Sequence, residues 1–216
     1  MTTPDVIQQL PTREIILHLL KTKGDMSTKD LTDELGITIM AVRRHIQSLE
    51  RDNLISSRML RQTLGRPTTV YHLTEQAGGF FPKNYHTLTV ELLTELEEHF
   101  GSEAVEKLFD SRKNKLIDKY GETMKEKDIA ERVEALAHIQ NENGYMVELE
   151  KVSEDEFLLT EHNCPIEHVA AKFKNVCHCE LKMFQSLLGD AEIKRLECLG
   201  DGGQRCTYSI KKQSLQ

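Results

Sequence analysis

Residues 35–55 read LGITIMAVRRHIQSLERDNLI. Ile39, Val42, Ile46 and Leu49 recur at spacings of three and four, the period of a helix that buries one face. Thr38, one residue ahead of the first, is a side chain that caps helix N-termini. The same spacing turns Thr38, Met40, Ala41, Arg43, Arg44 and Gln47 toward solvent. Just upstream, STKDLTDELG (27–36) offers Ser27 as a cap with Asp30 three residues on, Leu31 and Leu35 facing inward, and Gly36 as a stop. Before that, TREIILHLLKTK (12–23) carries Ile15, Ile16, Leu19 and Leu20 at helical spacing, with Thr12 as the expected cap and Gly24 as the stop. Two short amphipathic helices joined by a glycine turn make a helix-turn-helix. Arg43 and Arg44 on the second helix have the reach for guanine edges or phosphates. Thr28 and Lys29, at the start of the first helix of the pair, are further contact candidates.

Two β-prone runs follow, Asn53–Leu60 and Pro67–Leu73, flanking the basic, glycine-containing turn Arg61–Arg66. They predict a hairpin wing with Arg58, Arg61 and Arg66 along it or at its tip, where phosphates and the minor groove favour arginine. Charge agrees. The chain carries a net charge of −7, yet residues 36–66 hold six arginines against two acids. A basic window in an acidic chain is the electrostatic footprint of a polyanion-binding face. The order helix, turn, helix, wing resembles the winged-helix domain of bacterial regulators of the ArsR/DeoR type. That resemblance implies double-stranded operator DNA as a partner. A palindromic operator in turn needs a homodimer whose half-sites lie a helical turn, or a multiple of one, apart.

Residues 84–143 read as mostly helical, punctuated by Gly101, Gly121 and Gly144, with Leu88, Leu92, Leu96 and Phe100 on one face of the first segment. A helix directly after the wing is the candidate dimer seam. No phosphate loop, nucleophile elbow or dinucleotide fingerprint occurs, so the sequence offers no catalytic site. There is no apolar run of the length a membrane helix needs. The N-terminus lacks the basic-then-apolar order of a signal peptide, which places the chain in the cytoplasm.

All five cysteines fall within residues 164–206. An odd count of reduced thiols in a cytoplasmic chain favours metal or redox chemistry over disulfides. YMVELEKV and EFLLTEHN read as two strands. Cys164-Pro165 then leads into a helix of roughly 166–188, and EIKRLECL and QRCTYSI form a hairpin around GDGG. On a regular helix Cys177 and Cys179 diverge by about 200°, so Cys177 faces inward with Phe173 and Phe184 while Cys179 is a bystander. Cys206 alternates in phase with Tyr208 and Ile210. Cys164 sits at a loop–helix junction, where a helix N-terminus favours thiolate. Cys198 is ambiguous. It points away from Cys206 if Leu199 pairs with Gln204, but a slip of one residue puts it directly across. Cys164, Cys177 and Cys206 therefore form the best constellation, with Cys198 a candidate fourth. Thiolates from separated elements suit zinc or an iron–sulfur cluster.

Cys164, Pro165, Cys177, Glu180, Phe184 and Cys206, together with the RRH and GRP segments, resemble the SufR family of iron–sulfur-binding repressors of cluster-assembly genes. The resemblance implies a [4Fe–4S] cluster on Cys164, Cys177 and Cys206. Some members of that family carry another cysteine where this chain has Ala191, so the fourth ligand stays open. A zinc- or thiol-redox-responsive regulator on the same DNA-binding half is the alternative; a metalloenzyme or cluster carrier is a third. The expected architecture is α+β: a winged helix-turn-helix over 1–82, a helical linker and dimerisation region over 83–143, and a cysteine-containing α+β sensor over 144–216.

Overall fold

The computed structural model describes residues 10–61 and 66–213. The chain divides into two units, Met1–Lys83 and Asn84–Gln216. It is a mixed helix and sheet fold with an N-terminal winged helix-turn-helix.

The first unit runs α1 (Thr12–Lys23), β1 (Met26–Ser27), α2 (Thr28–Leu35), α3 (Ile39–Arg51), β2 (Ile55–Leu60) and β3 (Thr68–Leu73), then a 3₁₀ turn at Gln76–Phe80. Pro11, not Thr12, occupies the N-cap of α1. Proline fixes φ and lacks the N–H, so it suits a helix entry and displaces the hydroxyl expected there. Ser27 and Asp30 close a reciprocal capping box on α2, and Gly36 ends it in the left-handed conformation. The Thr38 side chain caps α3; each such cap is worth about 1 kcal/mol. Val42, Ile46 and Leu49 are buried against Ile16, Leu17, Leu20 and Leu31. Ile39, expected in that stripe, is 48% exposed; it opens the first turn of α3, above the edge of the core. Asn53, at φ 55°, turns the chain from α3 into β2, and asparagine tolerates that region better than most side chains. β3 pairs antiparallel with both β1 and β2, Arg58 lying opposite Val70. The wing is therefore a three-stranded sheet. Its tip, 62–65, lies outside the described residues.

The second unit begins with α4 (Tyr85–Phe100), α5 (Ser102–Met124) and α6 (Ile129–Glu142). Gly121 lies inside α5 and interrupts nothing. A lone glycine costs a helix about 1 kcal/mol relative to alanine, which the flanking Leu116, Ile117 and Met124 contacts offset. β4 (Val147–Lys151), β5 (Glu156–Glu161), α7 (Glu167–Lys172), α8 (Asn175–Leu187), β6 (Ala191–Glu197) and β7 (Cys206–Lys212) follow. The four strands make an antiparallel sheet in the order β4-β5-β7-β6. Phe184 of α8 packs edge-on against Tyr208 of β7 at 5.0 Å, and Leu136, Leu159, Leu188 and Ile210 complete a dry core. The single helix expected over 166–188 is broken: Phe173 leaves helical geometry at ψ 83° and separates α7 from α8. Its ring turns instead into a second core with Leu93, Val105, Phe109 and Val176. Among the described residues no helix is long and apolar enough to cross a membrane.

Candidate functional site

Two sets of side chains stand apart from the packing. The first is on α3. Thr38, Met40, Ala41, Arg43, Arg44 and Gln47 line one open concave surface. Val42, Ile46 and Leu49 anchor the opposite face, so these six are held outward by the helical period. Arg43 and Arg44 form no ion pair with a described residue, whereas Arg13 is paired with Asp52 and Arg58 with Asp25. Arg58 donates to Asp25 Oδ2 from Nε at 2.7 Å and Nη2 at 2.6 Å. The carboxylate therefore offsets its charge, and it braces β2 rather than presenting a bare cation. Arg61 and Arg66 are exposed at the two ends of the wing tip. Thr28 is spent partly inside its own helix, its carbonyl accepting from the Thr32 hydroxyl at 2.7 Å, while Lys29 is exposed.

The second set is a cage of thiols and carboxyls in the C-terminal unit. Glu161 is 1% exposed. It continues the Phe157 and Leu159 face of β5 and lies directly opposite Cys206 on β7. Residues so paired hold their Cβ atoms about 5 Å apart. Gln140 of α6 donates to Glu161 Oε1 at 2.8 Å, but Oε2 has no partner. Glu180 of α8 accepts from the Tyr208 hydroxyl at 3.3 Å. Burial, and then Glu180 beside it, push the Glu161 carboxyl up to about 9; burial raises Glu180 as well. Burial thus pushes both carboxyls toward their protonated forms, opposed at Glu180 by hydrogen bonds from Tyr145, Tyr208 and Gln140 and by Arg112.

The thiols respond to the same cage. Burial pushes Cys164 up to about 11, with Glu180 and Glu161 adding to the shift. Helix-end stabilisation of a Cys164 thiolate, expected from its position, is outweighed by burial, and α7 is only six residues long. Cys177 is pushed up to about 12 by burial and by the neighbouring Cys198. Cys206 is raised by burial, with Cys198, Glu161 and Glu180 contributing, and its sulfur accepts from the Leu199 N–H at 3.3 Å. Glu180 is thus an electrostatic neighbour of Cys164, Cys177 and Cys206 alike. Of these, Cys177 lies with Cys198 beside Gly200, and Cys206 stands opposite Glu161; Cys164 lies in the loop ahead of α7. Cys179 is elsewhere: its thiol donates to Asp110 Oδ1 of α5 at 3.7 Å. Among the described residues no three His, Cys, Asp or Glu side chains are already gathered closely enough for a single metal ion.

Sequence reasoning passed over Glu161, Arg195 and Gly200. The signal for Glu161 was present: an acid in the buried phase of an alternating strand. Arg195 donates to the Cys177 carbonyl from Nη1 at 2.9 Å, and an ordinary strand phase hides that. A Cβ on Gly200 would stand 2.9 Å from Cys177 Sγ and 3.6 Å from Cys198 Sγ. Nothing in the local sequence announces so close an approach.

Residues 10–56 match the winged helix-turn-helix DNA-binding family. With the outward cationic face of α3, that defines the class of the N-terminal unit: a winged helix-turn-helix DNA-binding domain. No curated protein matches the chain. Among solved structures, the chain is similar to the reduced transcriptional regulator YodB of Bacillus subtilis, at 17% identity over 46% of this chain and 96% of that one, TM-score 0.29. It is also similar to the adhesin competence repressor AdcR of Streptococcus pyogenes, at 25% identity over 55% and 84%, TM-score 0.30. A third likeness is to Bacillus subtilis PadR bound to operator DNA, at 16% identity over 82% and 97%, TM-score 0.28.

Proposed function

We propose that this regulator is a homodimeric repressor whose operator affinity is set by an iron–sulfur cluster, a [4Fe–4S] cluster by the family resemblance, held on Cys164, Cys177 and Cys206, and that it controls cluster-assembly genes. The observation that carries the reading is the cage itself: half-buried Cys164 and Cys177 and buried Cys206, from three separated elements, near the carboxyls of Glu161 and Glu180, with an orphaned Glu161 oxygen. Such a donor set is soft, anionic when deprotonated, and uncompensated, which is what a thiophilic metal centre requires. A cluster, when bound, supplies the missing positive charge and a redox-labile link between the thiolates.

The remaining work belongs to the chain's own residues. Without metal, burial favours the protonated forms of Glu161, Glu180 and the thiols. Drawing Cys164 toward Cys177 and Cys206 fixes the loop that leads into α7. That helix is clamped to α4 by stacking of His168 on His86, at 4.5 Å between ring centroids, and by the Lys172 ammonium donating to Thr94 Oγ1 at 2.6 Å. α4 begins two residues after the first unit ends. It also exposes Leu88, Leu92 and Phe100. Leu93, not part of the expected stripe, faces inward, while Leu88 and Leu92 face outward on the helix expected to form the dimer seam. This outward apolar stripe is the seam proposed for the second copy.

The experiment is metal analysis of protein isolated without air, followed by operator binding. Iron with sulfide is expected, together with loss of both chromophore and regulated DNA binding in Cys164→Ser, Cys177→Ser and Cys206→Ser, and neither loss in Cys179→Ser. Zinc without iron or sulfide would overturn the reading in favour of a zinc-responsive regulator on the same fold.

A further inference from the structure

We propose that Cys198 is the fourth thiolate of this centre, swung into it by a β-bulge at Leu196. The inference rests on the thiolate-bound cluster proposed above and identifies the ligand which that reading left open.

The ladder between β6 and β7 changes step. Ala191 pairs with Lys212, Ile193 with Ile210 and Arg195 with Tyr208, but the next pair is Glu197 with Thr207, so that Leu196 is skipped. Paired residues share a face of the sheet, and successive residues alternate. Had the ladder continued unbroken, Cys198 would stand opposite Arg205, on the face of Glu192 and Lys194, which are both exposed. The inserted residue reverses the phase. Leu196 is turned out at 63% exposure, while continuing the shifted register places Cys198 across from Cys206. Bulges re-aim side chains in this way beside functional sites. The result agrees with every contact of Cys198. It is 7% exposed, its sulfur shares the space beside Gly200 with that of Cys177, and it acts electrostatically on Cys206. The loop after it follows the sulfurs closely, with the Leu199 N–H on Cys206 Sγ and the Cys177 and Cys198 sulfurs lying where a Gly200 side chain would begin. Gly200 does not occupy the left-handed region. A glycine there answers to the space beside two sulfurs and not to backbone geometry.

The alternative position is closed. Ala191, where the family resemblance sets a further cysteine, lies opposite Lys212, at the far end of the ladder from Cys206. Six residues of strand separate the two places, about 20 Å at roughly 3.3 Å per residue. No side chain at 191 reaches the cage.

The test uses full-length protein reconstituted anaerobically with ferrous iron and sulfide, and compares wild type, Cys198→Ser, Cys179→Ser and a variant with Leu196 deleted. Wild type and Cys179→Ser are expected to retain iron and sulfide equally through a fixed exposure to chelator. Cys198→Ser should lose iron at least about tenfold faster, since removing even an outer partner of a metal ligand costs on the order of tenfold or more. Deleting Leu196 removes only the extra residue: Glu197 then follows Arg195 directly onto Thr207, and Cys198 stays opposite Cys206. It should retain iron as wild type does, and adding Cys198→Ser to it should bring the full Cys198→Ser loss. Retention within twofold of wild type in Cys198→Ser would overturn the assignment. So would a deletion variant that is folded by circular dichroism and loses iron as fast as Cys198→Ser. Should wild type take up no iron and sulfide at all, the cluster reading itself fails. Zinc titration of the same proteins then decides the ligand separately, with a tenfold weaker affinity expected for Cys198→Ser and an unchanged one refuting it.

Discussion

Replacing Glu161 by glutamine tests whether the cage is a store of protons in the metal-free protein. The carboxyl titrates at about 9 in the fold and near the ordinary value, 4.5, when unfolded. Between those limits the folded state binds a proton that the unfolded state has released, so stability falls as pH rises. One proton corresponds to about 1.4 kcal/mol per pH unit, or roughly 3 kcal/mol between pH 6 and pH 8. Glutamine keeps the shape and can still accept from Gln140, which holds Glu161 Oε1 at 2.8 Å, but it does not titrate. Chelator-treated wild type should therefore lose stability from pH 6 to pH 8 in urea unfolding, and Glu161→Gln should lose about one proton's worth less. The gap between the two proteins should widen with pH in favour of the variant. A wild type equally stable at both values, or a variant with the wild-type slope, would show that Glu161 is ionised in the fold and that the cage holds a compensating charge not identified above.

Two further outcomes follow from side-chain pairings elsewhere. Asp25→Ala releases Arg58 from its carboxylate and leaves a bare cation on the wing; non-specific DNA binding should tighten, and the dependence of log K on log salt should steepen by about 0.9, one extra phosphate contact, as read by fluorescence anisotropy across a salt series. His168→Ala removes the stack on His86 without touching a thiol; iron content should match wild type, while the ratio of operator affinities between metal-loaded and metal-free protein falls toward one.

The parts of this chain legible in its sequence are those where a local period coincides with a local cap. The helix-turn-helix is the clearest case. Ser27, Gly36 and Thr38 mark its ends, and Val42, Ile46 and Leu49 repeat without interruption, so local and tertiary preferences agree. The period around Leu88 and Leu92 marked an apolar stripe but missed Leu93 as the inward residue of that helix, because an apolar stripe reads identically whether it meets its own chain or another. It also ran one helix through Phe173, where no proline or glycine stands. The break there is tertiary: the ring is 6% exposed in a core shared with Leu93 and Phe109, contacts far away in the chain. Glu161 could have been read from strand alternation, but only by accepting a buried acid with no visible partner.

Register was the least legible quantity, and the thiol centre depends on it. An unbroken helix or strand fixes the direction of each side chain by period alone, and under that rule Cys198 faces away from Cys206. Each sulfur of the proposed centre stands at a place where the period fails. Cys164 precedes the turn into α7. Cys177 lies three residues after Lys174, just beyond the break between the helices. Cys198 follows the skipped Leu196, and Cys206 is the first residue of β7 after the loop through Gly200 and Gly203. These junctions have fewer ladder hydrogen bonds to hold them than the elements they join, so they are the segments most able to move when the sulfurs are drawn together or released. Regular elements would place the four thiols more rigidly but could not bring them to one point. If the centre is a switch, the irregular joints that assemble it are also the parts that let it open, and stiffening one of them with the thiols intact should slow metal release and the loss of operator control together.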